Sequence, residues 1–464
     1  MRKLLPLNVS CRGFVLLFFI TILIACDSDI RPAEQPSLNQ DVATTGPQVQ
    51  LDSAGEVALV EGAGRVAIPV SVIRAVGRSD TITLSARGIT PSDEQGLSLE
   101  FEQSLLQSTE SATSLFVQMG IGPRPIQPQI RTLLLSASDG ASQANSTRLS
   151  ISIEPTDKPD VYLIIGQSNG VGFSEDNAKR ALSGQPDAPN DRILQLNVTG
   201  NDEFNFTAPA DFTLAPNLYN VGEPLTPAVD PLNTGYNSVI VGKPGQRIGF
   251  GLSFAKQALP DTTAQIYLVP TAWSDTGFCS RSTNQFPGSG WNATQKSNPA
   301  LSGTLLHDRA IARANIALNL TDGILRGILS HQGEADSDSI FCANVYEDNL
   351  TELASSLRSN IAADARGPGA RGADSDIPFI VGTMSKGADS RGSQLPFGVA
   401  KLMVDAVHRN IATTIPMTGF VNSDDLIPPA YPCGEGSCVH FGALALREMG
   451  VRYYDELTAL LPKN

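Results

Sequence analysis

The sequence predicts two architectures in one chain: a small all-β sandwich, then a larger α/β domain built on a parallel sheet. Three observations carry this. Residues 48–154 hold short alternating apolar segments separated by turn residues. From residue 160 the rhythm lengthens to an apolar strand followed by an amphipathic helix. A glycine-flanked serine, Gly166-Gln-Ser-Asn-Gly170, ends the first of those later strands. At 464 residues the chain exceeds one ordinary domain, and two is the natural division.

The elements follow in order. Arg2, Lys3 and Arg12 flank or precede an apolar stretch over 14–25, a charged start and an apolar run too short for a membrane span. It ends in Leu23-Ile24-Ala25-Cys26, which resembles a bacterial lipobox. Residues 1–25 therefore read as a lipoprotein signal peptide. Cys26 becomes the lipidated N-terminus of an exported, membrane-anchored protein of the bacterial cell envelope. Residues 26–47 are polar and rich in Pro, Gln and Thr, as a flexible tether is. Seven alternating segments then stand at 57–60, 65–72, 81–85, 97–101, 114–118, 131–136 and 147–153. Short strands at that spacing predict an antiparallel sandwich of immunoglobulin-like type over 48–154. No Cys–Trp–Cys signature is present, so the likeness is architectural.

Glu154-Pro-Thr-Asp-Lys-Pro-Asp160 reads as a linker. Beyond it, strands are predicted at 161–165, 265–270, 324–330, 378–384 and 418–422. Helices are predicted near 251–259, 304–318, 344–363, 396–410 and 442–460. That alternation gives a parallel sheet with helices on both faces, whose ligands bind beyond the C-terminal strand ends. Residues 174–247 form a long insertion of turn signals, expected to shape the substrate pocket.

A net charge of −14 argues against nucleic acid, which needs clustered Lys and Arg. Of six cysteines, Cys11 leaves with the signal peptide and Cys26 takes lipid. Cys279, Cys342, Cys433 and Cys438 remain, an even number in an exported chain, which predicts two disulfides. Three pairings are open. Cys433–Cys438 closes a small local loop, and Cys279–Cys342 joins two residues just past predicted strand ends. Their spacing fits no common zinc pattern, so no metal is expected.

Ser168 is the candidate nucleophile, because the glycines let the chain turn sharply and leave a hydroxyl exposed. An α/β-hydrolase would place several strands before such a serine, whereas here it follows the first strand of its domain. Only four histidines are available as a base. His307 and His408 fall within helical patterns and read as structural. His331 opens a strand-end loop. His440 precedes the last helix, beside two cysteines, and is the candidate base. The orienting acid stays open: Ser437 near His440 carries no charge, while Glu334 and Asp336 lie on the other loop. Candidate oxyanion donors are the Ser168 N–H, a glycine N–H from Gly249-Phe250-Gly251, and the Gln332 or Asn169 amide.

Together these residues resemble the SGNH (GDSL-like) hydrolases, in the branch of sialate O-acetylesterases and family-six acetyl xylan esterases. The likeness covers about 160–460. It rests on Gly166-Gln-Ser-Asn169, His331-Gln-Gly-Glu-Ala-Asp336, Ser437-Cys-Val-His-Phe441, Gly249–Ala255 and the turn Ala272-Trp-Ser-Asp-Thr276. It implies an SGNH-type three-layer sandwich and a serine esterase that removes O-acetyl groups from carbohydrate through an acyl-enzyme, without cofactor. It further implies Ser168, His440 and Glu334 as the catalytic set, with Gln332 and Gly249 at the oxyanion. Gln167, Asn169, Asp275, Thr276 and Asp336 are expected to face substrate. Ser437 stands where the family has aspartate, and Ser274-Asp275 where it has Gly-Gly. The first departure keeps an inactive carbohydrate-binding surface protein in play, and an esterase of lipid or aryl esters is the other rival.

Overall fold

A computed structural model describes residues 47–51, 56–60, 65–74, 78–94, 97–119, 129–140, 145–154, 156–173, 187–197, 222–232, 247–280, 290–361, 377–386, 397–426 and 439–460. The signal peptide, Cys26 and the tether up to residue 46 lie outside the described residues. So do Cys433, Ser437 and Cys438.

The N-terminal part is two β-sheets. One has four strands in the order β1 (Gln48–Leu51), β3 (Val66–Ile73), β7 (Ala112–Met119), β5 (Leu97–Phe101). The other has five: β2 (Glu56–Val60), β9 (Asn145–Glu154), β8 (Gln129–Ser138), β4 (Ile82–Gly88), β6 (Leu105–Leu106). Alternation makes them face each other: in β8 every second residue is buried. Leu59, Leu133, Leu135, Leu149 and Ile151 from one sheet share a core with Ile68, Val70, Leu115 and Val117 from the other. All seven expected strands form. β1 and β6 were too short for a pattern to show, and β2 pairs parallel to β9, where an antiparallel sandwich was expected. A single helical turn, α1 (Pro91–Glu94), follows β4.

The second part is a seven-stranded sheet. Its order is β12 (Leu225–Pro227), β11 (Ile193–Leu196), β13 (Ile266–Pro270), β10 (Asp160–Gly166), β14 (Ile324–His331), β15 (Phe379–Gly382), β16 (Thr418–Val421). Every pairing is parallel except β11 with β12. β10 is buried at all seven positions, the mark of a strand covered on both faces. Val161, Leu163 and Ile165 point to a core shared with α4 (Leu305–Thr321), α5 (Ile340–Asn360) and α6 (Val399–Thr414). Tyr162 and Ile164 point the other way, to α3 (Gly251–Ala258) and α7 (Ala443–Ala459). Three layers result. The predicted strands and helices form within a few residues of their expected ends, whereas β11 and β12 arise inside the stretch read as an insertion of loops.

The topology decides where a site can form. After β10 the chain builds β11 and β13 on one side, then crosses through α4 to β14 on the other. The sheet therefore switches direction at β10, and a crevice opens beyond its C-terminal end. The serine lies there.

Candidate active site

β10 ends at Gly166, whose φ of +123° belongs to glycine alone. A Cβ there would lie 2.0 Å from the His331 carbonyl oxygen. The close approach lets Gln167 N–H donate to His331 O at 2.9 Å, and Trp273 N–H donates to Gly166 O at 2.9 Å. The chain then makes one helical turn, α2 (Ser168–Val171), and leaves it through Gly172 at φ +98°. Ser168 thus opens a short helix directly beyond a buried strand, on the turn the glycines predicted, but it is buried where an exposed hydroxyl was expected.

Asn169, next in sequence, is fully buried and joins three segments. Its Nδ2 donates to Glu334 Oε1 at 2.7 Å and to Val439 O at 2.9 Å. Its Oδ1 accepts the Phe441 N–H at 3.2 Å. The residues on both sides of His440 are therefore held by the residue after Ser168. His440 itself is half-buried, with its imidazole 4.6 Å from the Phe173 ring centre. The Arg247 guanidinium lies 3.7 Å from that same ring centre, a cation–π contact.

Glu334 does not take the place expected of it. Its carboxylate meets His331 Nε2 at 3.3 Å and Asn169 Nδ2 at 2.7 Å, and the same amide bonds Val439 O beside His440. His331 and Glu334 are three residues apart on one tight loop that turns at Gly333, φ +140°, so the nearer histidine captures the acid. Burial alone would raise the Glu334 pKa. The His331 ring beside the carboxylate outweighs burial and holds the group at about 2. His331 is boxed in by Phe441 at 5.7 Å and Phe250 at 6.3 Å between ring centres, with Tyr453 Oη 3.4 Å from Nδ1. A Cβ on Gly382 would sit 2.3 Å from that Nδ1, so the neighbouring strand needs glycine to admit the ring.

Other expected site groups are committed within the fold. Gln332 Nε2 donates to Asp336 Oδ2 at 2.6 Å and, with a long bond of 3.4 Å, to Thr276 O. Asp336 also accepts the N–H groups of Phe278 and Cys279 at 3.0–3.1 Å. Thr276 Oγ1 donates to Trp273 O at 2.7 Å and accepts from Trp291 Nε1 at 3.0 Å. Gln167 Oε1 accepts the Ala335 N–H at 3.1 Å. The Gly249 N–H, expected at the oxyanion, donates to Asp230 Oδ1 at 3.1 Å. These are the partners the fold gives Gln167, Asn169, Thr276 and Asp336, expected at the substrate, and Gly249, expected at the oxyanion. Buried polar groups take protein partners, and here the surrounding backbone supplies most of them. Asp275 stays half-buried at φ +59°, a left-handed position that favours the glycine found there in the resembled family.

Cys279 and Cys342 form a disulfide with Cα atoms 5.9 Å apart, beside Asp336. These three are the one His/Cys/Asp/Glu cluster of metal-binding spacing among the described residues, and the disulfide occupies both sulfurs. His307 and His408 are structural, as their helical setting suggested. His307 bonds Asp308 and Ser356. His408 meets the Tyr346 hydroxyl at 2.9 Å, and that hydroxyl donates to Gln332 O at 3.1 Å. Burial pushes the His408 pKa down to about 3. Asp230 went unnoticed in the sequence. It lies in the insertion, fully buried, where burial raises its pKa to about 7. No local pattern announces a buried acid in a loop.

Comparison with known proteins adds the family. The family described as carbohydrate esterase, sialic acid-specific acetylesterase, matches residues 158–459. No curated protein matches the chain in sequence. Among solved structures, a protein from Arabidopsis thaliana is 17% identical, with 65% of this chain and 98% of that one covered and a TM-score of 0.43. NanS is also 17% identical, covering 65% and 97%, with a TM-score of 0.44. A carbohydrate acetylesterase from Xanthomonas citri is 15% identical, covering 89% and 75%, with a TM-score of 0.39. At such TM-scores these likenesses carry no argument, and the assignment rests on the family match. By that match the chain belongs to the carbohydrate esterase family of sialic acid-specific acetylesterases and is a carbohydrate O-acetylesterase.

Proposed function

We propose that Ser168 and His440 remove O-acetyl groups from a carbohydrate through an acyl-enzyme. Ser168 Oγ attacks the ester carbonyl while His440 takes its proton. The tetrahedral intermediate collapses, and the sugar oxygen leaves with the proton returned by His440. Water, deprotonated by the same imidazole, then releases acetate and restores Ser168. The Ser168 N–H at the start of α2 is one donor to the oxyanion. Gln332 is the second: its short bond to Asp336 aims the amide, and its long bond to Thr276 O is the one a stronger acceptor displaces. One observation supports this pairing above the others: Asn169 bonds the backbone on both sides of His440, beside Ser168.

The finer reading is an SGNH-type hydrolase domain over 160–464, preceded by an immunoglobulin-like sandwich over 48–154. A lipid on Cys26 and a tether over 26–47 would hold both at the bacterial envelope, within reach of an acetylated glycan. Sialic acid and xylan esters are the substrates the sequence blocks suggest. Hydrolysis of p-nitrophenyl acetate and of acetylated sugars by wild type and Ser168→Ala tests the reading. The variant should lose several orders of magnitude in kcat while its unfolding transition stays in place. Near-normal acetate release from a folded Ser168→Ala protein would end it.

A further inference from the structure

We infer that Glu334 serves the reaction through Asn169, as a carboxylate–amide relay that fixes the backbone on both sides of His440. The inference rests on the proposed roles of Ser168 and His440 and specifies how the base is held. Glu334 has two polar partners, Asn169 Nδ2 and His331 Nε2, and both meet the same oxygen, Oε1. Its other oxygen, Oε2, is buried without a hydrogen-bond partner. The carboxylate therefore makes no hydrogen bond to the His440 imidazole.

The relay follows from the chemistry of a primary amide. Asn169 has one face that donates and one that accepts. Glu334 Oε1 and Val439 O both require the donor face, and the Phe441 N–H requires the acceptor face. These three partners permit one orientation of the side chain. With the amide locked, residues 439 and 441 are pinned across 270 and 272 residues of sequence, and the backbone of His440 has little freedom between them. Glu334 is an ionised acceptor, so its bond to Asn169 is charge-assisted and stronger than a neutral one. His331, packed among Phe250, Phe441 and Tyr453, places its Nε2 3.3 Å from the same oxygen. Asn169, Glu334 and His331 are positioning residues on this account. They set where the imidazole stands and leave its charge to other groups.

The relay and a direct ion pair with the imidazole predict different behaviour. Glu334→Gln keeps an acceptor oxygen for Asn169. It should lower kcat by no more than about tenfold, with the acid limb of the pH profile of kcat/KM unmoved. Glu334→Ala and Asn169→Ala each remove the clasp and should lower kcat by about 100-fold, with KM within a few-fold of wild type. The double alanine variant should be no worse than Asn169→Ala alone, as residues of one unit behave. A shift of the acid limb by about one pH unit in Glu334→Gln, the signature of a lost charge at the imidazole, would overturn the relay. Alanine effects that multiply would overturn it too. If an alanine variant does not fold, the Glu334→Gln profile alone decides. Ser168→Ala in the same assay separates the two ideas. Residual turnover there faults the proposed nucleophile, whereas the relay fails only on the Glu334 and Asn169 results.

Discussion

Two histidine-bearing segments meet at the Ser168 turn, and they are built differently. The loop from His331 to Asp336 continues a central strand and is buried at every residue. Its polar side chains meet one another and the backbone: His331 lies against Glu334 Oε1, Gln332 bonds Asp336, and Asp336 accepts two backbone amides, while Glu334 Oε2 and Gln332 Oε1 are buried without a hydrogen-bond partner among the described residues. The segment from Val439 to Phe441 is attached to the Ser168 turn by one asparagine, and its histidine is half-buried beside Phe173. A base must exchange protons with substrate and water, so it needs access. A carboxylate that stays ionised in a core needs the reverse, a dry setting with a donor or a cation held beside it, as Asn169 and His331 are beside Glu334 Oε1. The two segments divide these duties.

The largest effects should separate them. His440→Asn should lose at least about three orders of magnitude in kcat, with stability within roughly 1 kcal/mol of wild type, because a half-buried side chain contributes little packing. His331→Leu should do its damage in the fold, since it leaves Glu334 charged and buried with one partner fewer. A loss on the order of 3 kcal/mol in urea unfolding is expected. If His331→Leu were stable yet dead, and His440→Asn active, the division drawn here would be reversed.

Acid titration gives the next effect. The folded-state pKa of Glu334 is about 2, against 4.5 for the free group. Its contribution is fully present above pH 4.5 and is lost as the pH falls towards 2. Glu334→Gln should therefore flatten the decline of the urea midpoint across that window, and an unchanged slope would argue that the carboxylate is not held as the structure shows.

Asp230 should give the smallest effect and the opposite sign. Its pKa is raised from 3.8 to about 7, so its contribution is full below pH 3.8 and declines as the pH climbs through 7. Asp230→Asn keeps an acceptor for the Gly249 N–H and cannot ionise. It should raise the melting temperature by a few degrees at pH 8 and by less at pH 4. Equal shifts at both values would remove the buried carboxyl from the account.

Much of this molecule was legible before any coordinates. A short apolar run rich in β-branched residues such as Val161–Ile165, closed by a glycine turn, reads as a strand covered on both faces, and the glycines around Ser168 mark that turn. The alternating segments over 57–153 fixed their own burial, because side chains on a strand point to opposite faces in turn. The block His331-Gln-Gly-Glu334 marked a site, although not which histidine the acid would choose.

What local sequence cannot determine is a contact between distant segments. β11 became a strand because the edge of β13 offered it hydrogen bonds, and β12 because β11 then offered its own outer edge. Asp230 became a buried, protonatable acid only because the fold closes over it and brings the Gly249 N–H to its carboxyl. Glu334 could have faced His440 as far as any motif shows. Packing placed His331 against it first and put Asn169 between it and the base. The sequence by itself determined most strands, the long helices and the reactive residue types, since these follow from short-range periodicity and backbone preference. The tertiary structure alone decided the partners, because a buried polar group bonds to whatever the fold brings within about 3 Å, whichever residue the chain order suggested.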